Sequence, residues 1–239
     1  MHIEVPVSVF ARLLVGTPAT RRQAIEAIVC RKLGDEADDD FTPPYGRARG
    51  CIRQYAHGVI SRDSALRRAD ELRKRVEGEP SVAKQRRLVN NAGMIEYFVN
   101  HFDMAGVRRI DSECFYLNLD GVVVRFAPDL CIKRNGTDQF VKLFFAKKRL
   151  PNAKRLERKA ISHLMHAARK RSRPVASSRD LYIYDVRFAE PIICMPPDDD
   201  LKRRFYSVAE EIREISARLD RGSTYTLVDP TDNNSVKKP

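Results

Sequence analysis

Between Arg21 and Leu33 the apolar residues Ala24, Ile25, Ala27, Ile28 and Val29 recur on one helical face. Thr17-Pro18 stands just upstream, where proline suits a first helical turn. The same pattern returns along the first hundred residues. Thr42-Pro43-Pro44 reads as a second cap and first turn, leading into a basic segment with Arg47, Arg49 and Arg53. Ser61 caps a third helix, in which Leu66, Ala69, Leu72 and Val76 keep helical spacing. Gly78-Glu79-Pro80 breaks the chain, and Ser81 opens a longer helix to about Phe102 with a stripe of Leu88, Ala92, Ile95, Val99 and Phe102. The acidic run Glu36 to Asp40 between the first two helices reads as a solvated loop.

After Gly106 the period changes from helical to alternating. Cys114 to Leu119 and Val122 to Phe126 are strands around an Asp120-Gly121 hairpin turn. Pro128 predicts a bulge or bend, with Leu130 to Lys133 continuing the strand. Asn135-Gly136 is a second hairpin signal, followed by Gln139 to Phe145. These segments predict one contiguous antiparallel meander. Pro151-Asn152 then opens an amphipathic helix to about Arg169, its face built from Leu156, Ala160, Leu164 and Ala167. Leu181 to Phe188 and Ile192 to Met195 form a second strand pair, a last helix covers Leu201 to Leu219, and the polar tail beyond Gly222 is expected to be mobile. The fold class is therefore α+β. A helical region over 1–80 packs on an α/β core over 81–221 with a mixed, mainly antiparallel sheet, and 222–239 is a flexible tail.

Charge adds a functional constraint. Lys and Arg number 44 against 32 Asp and Glu, a formal charge of +12. Such a surplus draws polyanions through long-range attraction and counterion release, which points first to nucleic acid and then to an acidic protein partner. The densest basic stretch carries Lys147, Lys148, Arg149, Lys154, Arg155, Arg158 and Lys159, then Arg169, Lys170, Arg171 and Arg173, with Glu157 as its lone acid. The two clusters bracket one helix and are placed to meet phosphates on either side of it. Five widely spaced cysteines without a Cys-x-x-Cys pair imply reduced thiols rather than a zinc ribbon or disulfide framework. The segment Met1-His2-Ile3-Glu4-Val5-Pro6 lacks signal-peptide character, and no apolar run approaches membrane-spanning length, so a cytoplasmic protein without a membrane partner is expected.

From Ser81 onward the order helix, three-stranded meander, helix, strand resembles the core of the restriction-endonuclease-like, or PD-(D/E)XK, nuclease superfamily, notably its RecB-like branch. Pro128-Asp129, Lys142 on the following strand and Glu96 on the preceding helix carry the resemblance. It implies an α-βββ-α-β core in which Asp129 and a second carboxylate, Glu96, hold Mg²⁺ while Lys142 positions an attacking water. A carboxylate-bound hard cation would polarise the scissile phosphate, and an ammonium would stabilise developing negative charge.

The departure from that pattern lies two residues before Lys142, where the family carries an acid and this chain has Phe140. An aromatic ring offers a hard cation no oxygen. Asp138, and Glu157 on the next helix, are the substitutes at hand. The reading is a nucleic-acid-binding protein with a catalytically degenerate nuclease-like core; the alternatives are an active Mg²⁺-dependent DNA or RNA nuclease, and a regulatory or interaction subunit with a basic surface. His163 and His166, one helical turn apart, have chelate spacing without the Glu of a zincin and read as structural. No Gly-x-Ser-x-Gly elbow, P-loop or dinucleotide fingerprint occurs.

Overall fold

The structure is a computed structural model that describes residues 3–32, 45–145, 152–172 and 181–224. The chain runs β1 (Ile3–Pro6), α1 (Val7–Val15), α2 (Pro18–Lys32), α3 (Gly46–Ala56), α4 (Arg62–Lys74), α5 (Val82–His101), β2 (Arg108–Arg109), β3 (Phe115–Leu119), β4 (Val122–Phe126), β5 (Leu130–Arg134), β6 (Thr137–Phe144), α6 (Asn152–Ser172), β7 (Leu181–Asp185), β8 (Glu190–Ile193) and α7 (Asp199–Thr224). It is α+β, with mostly antiparallel pairing. The acidic run Glu36 to Asp40, Thr42-Pro43-Pro44 and the tail from 225 onward lie outside the described residues.

Local chemistry explains where the helices start. The Ser61 hydroxyl accepts from Ser64 N at 3.2 Å and opens α4; Ser81 does the same for α5 with Lys84 N at 3.4 Å. Pro18 occupies the first position of α2, where its missing N–H would have no helical partner.

Both hairpin turns form as expected. Asp120-Gly121 takes φ of 50° and 95°, and Asn135-Gly136 takes 50° and 80°, the positive pair that a two-residue hairpin loop requires. A Cβ at Gly136 would touch nothing within 4 Å, so only the backbone opposes a side chain there. Gly136→Ala is expected to cost about 1–2 kcal/mol. An unshifted urea midpoint in that variant would show that the turn does not hold its left-handed conformation.

The contiguous meander is not what forms. The strands separate into a three-stranded sheet, order β1-β4-β3, and a five-stranded sheet, order β2-β5-β6-β7-β8. The split falls at Ala127-Pro128-Asp129. Pro128 has no N–H to extend the β3–β4 ladder, and Asp129 N bonds Val141 O at 2.8 Å, which commits the chain to β6. What reads as a bend within one strand is thus a transfer between sheets.

A second difference is at the start, where residues 1–80 read as helical. Ile3–Pro6 is a strand running parallel to β4, with Ile3 opposite Val122 and Val5 opposite Val124. The next apolar segment, Val7–Val15, is helix α1, buried through Phe10, Leu13 and Leu14.

The five-stranded sheet has a core on each face. Leu130, Ile132, Val141, Leu143, Tyr182 and Tyr184 meet α3, α4 and α5 through Ile52, Ala69, Ile95 and Phe98. On the opposite face Cys131, Phe140, Leu181 and Ile183 join a cluster with the three-stranded sheet, α1, α2, α6 and α7. β7 is buried at every position, as a strand covered on both faces must be. It lies parallel to β6 and follows it through α6. The expected α6 face is rotated by one position. Leu156 is 54% exposed, and the buried stripe runs through Glu157, Ala160, Ile161, Leu164 and Ala168. The neighbours of α6, namely α1, β3, β4 and β7, cover more of its circumference than one narrow stripe and set the rotation.

Candidate functional site

Asp129 immediately precedes β5, and its N–H donates to Val141 O at 2.8 Å, which sets it beside Val141 and Lys142 of β6. The pairing of β5 with β6 thus brings together the two residues that the sequence singles out. Lys142 Nζ lies 3.2 Å from Asp129 Oδ2 and donates to Ala127 O at 3.1 Å. Leu143 N donates to the same Oδ2 at 2.9 Å. Oδ1 faces Arg49 Nε of α3 at 3.1 Å, an ion pair without hydrogen-bond alignment. The Asp129 side chain is 7% exposed, so burial demands these partners.

Arg49 is held there by aromatic packing. Its guanidinium lies 5.3 Å from the centre of the Phe145 ring, which stacks on Tyr45 at 5.0 Å. This cation comes from the helical layer, far away in sequence, and nothing in the local pattern of β5 and β6 announces it.

The other candidate carboxylates face cations of their own. Glu96 of α5 is bound by both terminal nitrogens of Arg73, which ties α5 to α4. Glu157 of α6 pairs with Arg12 Nε of α1 at 3.4 Å. Asp138 pairs with Lys133 across the hairpin at 3.6 Å, on an exposed position. Phe140 is 3% exposed, edge-on to Phe115 at 5.0 Å, with the Arg169 guanidinium 5.2 Å from both rings. Among the described residues no group of three or more His, Cys, Asp or Glu side chains is placed to hold a metal ion. A Mg²⁺ ion needs several oxygens around one point. Carboxylates each closed by a separate cation do not fit it.

An acid absent from the expected set is Asp185, at the end of β7. It is fully buried and pairs with Arg158 of α6 at 2.9 Å. Burial raises its pKa above the ordinary carboxylate value, opposed by Arg158 and by backbone N–H groups of Arg187 and Phe188. An ionisable residue ending the apolar run Leu181-Tyr182-Ile183-Tyr184 is the sequence signal that could have found it. Burial likewise pushes Tyr182 and Tyr184 up to about 12, so both phenols stay protonated near neutrality. The Cys194 thiol is pushed up to about 12 by the same cause, which removes it as a nucleophile.

The basic stretch divides by direction. Arg155 and Lys159 are exposed on one stripe of α6, four residues apart. Arg158 and Arg169 turn inward, to Asp185 and to the Phe115–Phe140 pair. Lys147, Lys148, Arg149 and Arg173 lie outside the described residues; Lys154, Lys170 and Arg171 lie on α6 with side chains outside that set. His163 is buried, its Nδ1 2.8 Å from Met195 O and 3.0 Å from Pro196 O, a clasp between α6 and the segment after β8.

No helix among the described residues is long and apolar enough to cross a membrane. No family model matches this chain, and no curated protein matches it.

Proposed function

We propose that the protein binds nucleic acid with a nuclease-like core that has lost its metal site. In this reading α5, β5, β6, α6 and β7 correspond to the restriction-endonuclease-like core, with Asp129 and Lys142 in the positions of that family's aspartate and lysine. The observation that carries it is the Asp129 carboxylate, closed by Lys142, Arg49 and the Leu143 N–H where an active site would keep oxygen free for a cation. Phe140 supports the same conclusion, because its ring is built into the core. The formal charge of +12 supports a polyanionic partner, and the exposed Arg155 and Lys159 are the first contacts to test. The unpaired thiols Cys51, Cys114, Cys131 and Cys194 suit a reducing compartment such as the cytoplasm.

Binding to single- and double-stranded DNA and RNA should weaken steeply with salt. Arg155→Ala combined with Lys159→Ala is expected to reduce the slope of log K against log salt by about 0.7–0.9 per lost phosphate contact. Identical affinity of parent and double variant at every salt concentration would remove this surface from the interface. The parent should leave all four substrates intact with Mg²⁺ or Mn²⁺. Divalent-dependent nicking that disappears in Lys142→Ala would instead establish the enzyme.

A further inference from the structure

A second concave site lies in the helical layer, on a face of α3 other than the one that carries Arg49. A cleft of about 350 Å³ opens between α3 and α4, lined by Arg47, Gly50 and Gln54 on one side and Arg68, Glu71 and Arg75 on the other. That volume is at the small end of the range for small-molecule pockets, about 300–1,000 Å³. Three guanidiniums face one carboxylate, so the lining is cationic.

The arginines are differently employed. Arg68 is held by the Gln54 side-chain oxygen. Arg47 and Arg75 are exposed and have no carboxylate partner among the described residues. Guanidinium groups present paired N–H donors at the spacing of phosphate oxygens, and several around one cleft favour a dianion over a monoanion. Gly50 is the second observation. It stands inside α3, where glycine is the poorest helix former except proline, and a Cβ there would meet nothing within 4 Å. Packing does not require glycine at this position; a side chain would project into the space that the cleft leaves open. Leu72 and Ile95, both buried, close the floor of the cleft.

We propose that this cleft binds the phosphate group of a small phosphomonoester, about the size of a nucleoside monophosphate. The site is independent of the nucleic-acid reading, since it uses neither Asp129 nor the α6 surface. Calorimetric titration of the full chain with adenosine monophosphate, with adenosine as control, tests it. Adenosine monophosphate should bind saturably and be displaced by inorganic phosphate, while adenosine should show no binding. Arg75→Gln and Gly50→Leu should each weaken the monophosphate by about tenfold or more, the loss of one charge-assisted contact or of the space itself. Arg75 is exposed, so its variant decides the matter even where Gly50→Leu fails to fold. Equal binding of adenosine and its monophosphate overturns the proposal, as does unchanged affinity in Arg75→Gln. A phosphorylated oligonucleotide that binds through Arg75 when the free nucleotide does not would also overturn it, assigning the cleft to a strand end.

Discussion

Arg158→Met should destabilise the protein by about 3–5 kcal/mol near neutral pH, the range for removing one partner of a buried ion pair. The size follows from what is left behind. Asp185 is fully buried, and without Arg158 the partners left to its carboxylate among the described residues are the Arg187 and Phe188 N–H groups. The pH dependence gives the loss a signature. Burial already holds the folded pKa of Asp185 above its unfolded value, and Arg158 is the main influence pulling it down. A raised folded pKa contributes stability that is fully present below the unfolded pKa and is lost as pH rises through the folded one. Removing Arg158 moves the folded pKa further up, so the deficit should shrink as pH falls from about 7 to about 5. Arg158→Met with Asp185→Asn should recover much of the loss, because the amide oxygen still accepts from the turn. Urea unfolding at both pH values reads all of this. A deficit that is the same at both, or below about 0.5 kcal/mol, the scatter of ordinary surface substitutions, would mean that the pair does not hold α6 to β7.

Asp129→Ala should cost about 2–3 kcal/mol, below the usual range for breaking a buried pair because the cations it abandons are partly wet. The Lys142 side chain is 16% exposed and that of Arg49 33%, so each can turn toward solvent. The Leu143 N–H cannot turn. Asp129→Asn keeps an acceptor for it and should therefore cost about 1 kcal/mol less than the alanine variant. The contrast between these two variants separates stability from chemistry. On the proposed reading of a degenerate core, both should lower the unfolding free energy while nucleic-acid affinity, measured where each variant is folded, stays within a factor of about two, a shift of under 0.5 kcal/mol. Equal stability of parent and alanine variant would mean that the carboxylate is free for another task, and would reopen the metal site.

The sequence disclosed most where a single residue type decides local geometry. Ser61 and Ser81 start their helices because a hydroxyl satisfies an orphan N–H, and Asn135-Gly136 turns because both positions tolerate positive φ. The pairing of Asp129 with Lys142 was half legible: the Asn135-Gly136 hairpin brings β6 alongside the start of β5, although the partition of β4 and β5 between two sheets was not foreseen. Pro128 was visible as an interruption, but which ladder the chain joins beyond it depends on what stands beside Asp129 N. Arg49, Arg158 and Arg12 were visible as positive charges and nothing more. Their carboxylate partners Asp129, Asp185 and Glu157 come from other layers, and charge patterning along a chain carries no information about pairing across one. Leu156 shows the same limit in apolar terms. Its helical spacing was correct, but the burial of α6 is set by neighbours on several sides.

The parallel pairing of β1 with β4 has a kinetic side. Ile3 meets Val122 and Pro6 meets Arg125, with α1 through α5, β2 and β3 in between. Closing so long a loop carries a large entropic cost before any contact rewards it. The β3–β4 hairpin, by contrast, needs only its two-residue turn and belongs to the microsecond class of events. The edge of β4 that receives β1 is therefore expected to form before β1 reaches it. Ile3 and Val5, each almost fully buried in the finished sheet, are expected to be buried late in folding. Stability gained at this rung then appears mainly in how slowly the protein unfolds and hardly in how fast it folds. During synthesis the same geometry leaves β1 unpaired until β4 has been made, with its apolar residues open to other chains in the interval.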